Sequence, residues 1–82
     1  MASREEDVVP HVNIKHFPAP LNDEQASALV SAVTEAVTRA FGCDEGVVSI
    51  ALEPVERRAW QDQVYAPEIV ERSHLLRKTP TY

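Results

Sequence analysis

One well-punctuated helical stripe, set between two short alternating segments, constrains this chain more than any other feature. Apolar residues recur at Ala26, Leu29, Val30, Val33, Val37, Ala40 and Phe41. Spacings of three and four place them along one face of a helix. Asn22 suits the N-cap, and Gln25 three residues later completes a capping-box pattern. Asp23 and Glu24 suit the positive end of the helix dipole. Gly42 lies where a left-handed C-cap residue belongs.

The flanking segments have a period of two. After Pro10, the run HVNIKHF sets Val12 and Ile14 on one face and Asn13, Lys15 and Phe17 on the other. Proline is tolerated at the start of a strand, where its missing N–H breaks no ladder. Pro18 and Pro20 stop that strand. The second strand is expected over Val47 to Glu53, with Val48, Ile50 and Leu52 on its more apolar face and Pro54 ending it. Strand, helix and strand in that order make an α/β chain with a single βαβ unit, parallel strands and a right-handed crossover. One helix cannot cover both faces of a two-stranded sheet, so oligomerisation should complete it. With 82 residues the chain is one small domain, and a core of that size needs support from other copies.

Beyond Pro54 a turn is expected as far as Arg58. Pro67 reads as the first residue of a second helix over Pro67 to Lys78, with Ile69, Val70, Leu75 and Leu76 as its apolar contacts. Residues 1–9, MASREEDVV, are polar and aperiodic apart from the closing valines. They read as a mobile extension outside a domain over 10–82.

Composition removes several function classes. Eight basic residues stand against thirteen acidic ones, a net charge of −5, which argues against nucleic acid or an anionic membrane as partner. One cysteine and two glycines leave no disulfide scaffold, no CxxC zinc site and no phosphate-cradling loop. No run approaches the ~18 apolar residues of a membrane span, and the acidic start is unlike a secretory signal. A cytoplasmic protein is the expectation. His11 and His16 fall on opposite faces of a strand and cannot chelate one ion together, so no metal site is expected. Cys43 follows a helix C-terminus, where the dipole disfavours a thiolate, and reads as a small buried residue.

The order of the remaining features is informative. PHVNIKHFP over 10–18, LNDEQ, a helix, VVSIALE, Trp60, VYAPEI and a basic-Pro-Tyr ending resemble the tautomerase superfamily over about residues 10–82. The resemblance is nearest to the small 4-oxalocrotonate-tautomerase-like proteins, in particular their phenylpyruvate-tautomerase-like branch. It implies a βαβ tautomerase fold assembled as a homodimer or hexamer. It also implies keto–enol tautomerisation of small 2-oxo or unsaturated acids without metal or organic cofactor. The base in such proteins is an amino-terminal proline, which the resemblance places at Pro10. A free α-amino group titrates near pH ~8, and burial in an apolar pocket lowers that by disfavouring the cation. A base near neutrality suits proton transfer at working pH.

Candidate substrate-binding residues are then Trp60 and Phe17 as pocket walls, and Arg57, Arg58 and Lys15 as cations for a carboxylate. His11 adjoins the proline and is a candidate to tune its field. The founding enzymes of the superfamily hold dicarboxylates with arginines near the positions of Ala19 or Pro20 and of Ser49, and none of these is basic in this chain. That favours a monoacid carrying a larger apolar or aromatic group.

Pro10 is internal as the sequence is written, and an internal proline nitrogen is a tertiary amide with no basicity. Val9 precedes it, and a GTG codon that initiates translation reads as methionine. A start at Val9, or proteolysis, would expose Pro10 after methionine removal, and a start at Val9 is the expectation. The competing reading is a catalytically inactive binding or assembly protein of the same fold, its Pro10 blocked by residues 1–9.

Overall fold

The computed structural model describes residues 8–82. Two strands and one long helix form the expected βαβ order: β1 at His11–His16, α1 at Asp23–Phe41 and β2 at Ser49–Pro54. The strands pair as a two-stranded sheet. Ser49 N–H donates to Pro10 O at 3.3 Å and Val55 N–H to His16 O at 2.8 Å. Both bonds carry the same residue offset in the same direction, so the strands are parallel. A parallel pair needs a long crossover, and α1 supplies it. The expected extension at 1–9 lies outside the described residues for Met1–Asp7; Val8 and Val9 are exposed.

The chain divides into two compact units. One takes the described residues as far as Ile14 together with Pro20–Leu52; the other takes Lys15–Ala19 and Glu53–Tyr82.

In the first unit α1 begins and ends where its punctuation says. Gln25 N–H donates to Asn22 Oδ1 at 2.8 Å, and Asn22 N–H donates to Gln25 Oε1 at 3.0 Å, a complete capping box. Gly42 adopts φ 67° and ψ 32°, and its N–H returns to Thr38 O at 2.8 Å. That left-handed geometry is open to glycine without the Cβ penalty. The apolar stripe is narrower than its spacing suggests. Ala26, Leu29, Val33 and Val37 are half-buried, while Val30, Ala40 and Phe41 are exposed. Cys43 is half-buried rather than buried. Among the described residues of this unit none is fully buried.

β2 starts later than the alternation predicts. Glu45–Val47 form a 3-10 turn, so Val47 and Val48 are not part of the strand, and Pro54 is its last residue. The turn is held by Asp44, whose Oδ2 accepts from Gly46 N–H at 2.9 Å. A Cβ on Gly46 would stand 2.8 Å from that same oxygen, so glycine is what lets the carboxylate close over the backbone.

The second unit holds the two residues that are buried among those described, Val55 and Val64. It corrects the expected helix over Pro67 to Lys78. A 3-10 turn at Arg57–Ala59 leads into a π-helix at Gln61–Val70, with Pro67 inside it, and only a 3-10 turn at Ser73–Leu75 follows. In an α-helix an interior proline clashes with the carbonyl four residues back. The wider π turn relieves that clash, and the chain leaves it through a five-residue bond from Glu71 N–H to Ala66 O at 3.0 Å. No helix among the described residues is long and apolar enough to cross a membrane.

Candidate active site

The candidate residues fall into two groups, one in each unit. In the first, Pro10 stands immediately before β1 and is half-buried. Its carbonyl is held by Ser49 N–H, the first rung of the sheet. The next residue, His11, shares a 2.6 Å hydrogen bond between its Nδ1 and Ser49 Oγ. That bond fixes the imidazole beside the proline's own backbone partner. His11 is exposed. Ser49 thus touches Pro10 through its main chain and His11 through its side chain.

In the second unit Lys15, His16, Phe17, Trp60 and Tyr82 line an open cavity of about 450 Å³. Phe17 and Trp60 meet edge to face, with centroids 4.9 Å apart and planes at 79°. This arrangement sets the positive edge of one ring against the negative face of the other. The guanidinium of Arg57 lies 4.4 Å from the Phe17 centroid. Arg57 is therefore committed to the ring as a cation–π partner. Arg58, beside it on the 3-10 turn, is exposed and does not line the cavity.

Lys15 is the cavity's ammonium. Its Nζ lies 3.4 Å from Glu68 Oε2, and the other oxygen of Glu68 accepts from Arg72 at 3.4 Å. The ring of His16 donates from Nδ1 to Phe17 O at 2.6 Å, fixing it at the rim. Trp60 Nε1–H donates to Tyr82 Oη at 3.2 Å, and the Tyr82 ring tilts against Tyr65 with centroids 5.8 Å apart. The result is an apolar aromatic hollow with one cation at its edge, suited to a small acid whose body is apolar.

Of the residues singled out in the sequence, the structure brings Lys15, Phe17 and Trp60 to one cavity and sets Arg57 behind Phe17. Pro10 and His11 sit together on the first rung of the sheet. Tyr82 and Glu68 were not foreseen. The signal for Tyr82 was faint: a single aromatic, with a polar handle, in an otherwise polar TPTY ending. Among the described residues no group of three or more His, Cys, Asp or Glu side chains is placed to hold a metal ion.

A parallel βαβ unit with an unclosed sheet defines a small α/β protein, and its second unit carries an apolar hollow edged by an ammonium. Comparison with known proteins gives the family. Residues 10–65 match the family model described as "Tautomerase enzyme". The chain is 42% identical over 74 residues to Tautomerase PptA of Enterobacter sp. (strain 638), covering 90% of this chain and 97% of that protein. With the same coverage it is 45% identical to Tautomerase PptA of Klebsiella pneumoniae (strain 342), and 32% to that of Escherichia coli O9:H4 (strain HS). The chain belongs to the tautomerase family, and its class of activity is isomerisation.

Proposed function

We propose that this chain catalyses keto–enol tautomerisation of small 2-oxo or unsaturated acids, with Pro10 as general base once that residue is the amino terminus. The observation that carries the reading is that the family match begins at Pro10, the residue bonded through its carbonyl to the first rung of the sheet. A secondary amine there takes the enol O–H proton. The oxygen lone pair closes to a carbonyl, and the carbon–carbon double bond accepts the proton back from the ammonium at C3. One group serves as base and then as acid, so the reaction on this reading needs neither metal nor organic cofactor.

Lys15 holds the substrate carboxylate, and Phe17 and Trp60 face its apolar substituent. Arg57 stiffens Phe17, Arg58 adds positive charge from outside the lining, and His11 tunes the field at Pro10. The unclosed sheet, with no fully buried residue among those described in the first unit, supports an assembly of copies, a homodimer or a hexamer, in which the site is completed. One observation favours the second reading, a non-catalytic binding or assembly protein. In the chain as written Pro10 N is acylated by Val9 and has no lone pair to offer.

The test compares the form beginning at Pro10 with the form beginning at Met1, using ketonisation of an aryl enolpyruvate followed by ultraviolet absorbance. Loss of a positioned general base costs about 10²–10⁴-fold, and that is the expected gap between the two forms. Pro10→Ala in the shorter form should show a similar drop. Background rates from both forms across several 2-oxo acid enols would establish the non-catalytic reading instead.

A further inference from the structure

We propose that Tyr82 is the specificity-determining wall of the cavity, selecting aryl-substituted carboxylates over short alkyl ones; this rests on the tautomerase reading above and names a determinant of its substrate. Three observations converge on Tyr82. It lines the cavity with Lys15, Phe17 and Trp60. Its hydroxyl accepts from Trp60 Nε1–H at 3.2 Å, which ties it to another ring of the lining. It also lines a second hollow of about 280 Å³ with Ile69, Leu76, Lys78, Thr79 and Pro80. Tyr82 therefore borders two hollows.

The exposure of Tyr82 argues for a ligand rather than for packing. The residue is 66% exposed, although its ring also meets Tyr65 with centroids 5.8 Å apart. An aryl group in the cavity, lying against Trp60 and Tyr82, would cover part of that exposed ring and add aromatic contacts. A short alkyl chain reaches neither ring well. Lys15 supplies the charge for either acid, so the cation alone does not discriminate. Tyr82 does.

Trp60 is the single tryptophan, so its emission reports on this cavity without interference. The probes are 3-phenylpropanoate and butanoate, neither of which can tautomerise as an enol acid. Aromatic contacts of this kind predict that Tyr82→Ala weakens 3-phenylpropanoate binding about five- to tenfold and leaves butanoate within about twofold. Tyr82→Phe keeps the ring and loses only the bond to Trp60, so it should retain most of the discrimination. Equal losses for both acids, or none for either, would overturn the proposal, provided circular dichroism shows the variants folded like the parent. Binding does not need a free Pro10 amine. Discriminating binding without turnover in any form would therefore count against the catalytic reading while leaving Tyr82's role standing. Turnover whose aryl-over-alkyl preference ignores Tyr82 would do the reverse.

Discussion

Lys15 and Glu68 allow a sharp test of how the substrate acid is held, because the two substitutions should act in opposite directions. Lys15 lies at the cavity edge with its side chain 26% exposed, and Glu68, 40% exposed, faces it at 3.4 Å. A substrate carboxylate must compete with Glu68 for the ammonium. A charge-assisted hydrogen bond contributes about 1.5–3 kcal/mol where solvent is excluded, and a half-exposed ion pair well under 1 kcal/mol. Exchanging the second for the first leaves about 1–2 kcal/mol. Lys15→Met, which keeps most of the apolar stem, should therefore raise KM for an enol acid about 5–30-fold with little change in kcat. Glu68→Gln removes the competitor and its repulsion of the incoming anion, so KM should fall about two- to fivefold. Arg72 then loses its own carboxylate partner, which matters little because both groups are solvated. In the double variant the benefit of Glu68→Gln should vanish, since no ammonium remains to be freed. The assay is steady-state ketonisation by the form beginning at Pro10, at low and moderate salt, with KM rising as salt screens the contact. A raised KM in Glu68→Gln, or an unchanged one in Lys15→Met, would mean that Lys15 serves Glu68 and not the substrate.

The remaining predictions concern stability. Asn22→Ala removes the side-chain half of the capping box and should cost about 1 kcal/mol in urea unfolding. Gly42→Ala forces a Cβ into φ 67° and should cost a similar amount, about 1 kcal/mol. Val64→Ala empties one of the two buried positions and should cost about 2 kcal/mol, read from the same denaturation curves, without altering the slope.

What could be read from the chain alone follows the range of the interactions involved. The ends of α1 were legible because Asn22, Gln25 and Gly42 act on backbone within four residues of themselves. The strands were legible through alternation, although Gly46 beside Asp44 builds a 3-10 turn that delays β2 to Ser49, and alternation does not register a turn of that size. The tail was misread because Pro67 fits two local descriptions. At a helix start its missing N–H is harmless. Inside a widened π turn it is harmless too, and local spacing does not choose between the two. The cavity was half legible: Phe17, Trp60 and Lys15 were chosen for their chemistry. Tyr82 lies twenty-two residues from the tryptophan it bonds, beyond any spacing rule.

Pro10 separates fold from function in a way the hydrogen bonds make explicit. Its contribution to the sheet is the carbonyl that accepts from Ser49 N–H. Its nitrogen takes no part in that bond, whether acylated by Val9 or free as a secondary amine. The first rung is thus indifferent to Val9: the same strand pairing forms on an acylated nitrogen and on a free secondary amine. What changes is the lone pair, which amide resonance delocalises in one case and leaves basic in the other. On the proposed mechanism, acylation of Pro10 N abolishes proton transfer while leaving its carbonyl free to accept from Ser49 N–H. Any comparison of the two forms should find similar unfolding curves and very different rates. A matched loss of stability and rate would show that residues 1–9 act on the fold, and would count against a role for them confined to the nitrogen of Pro10.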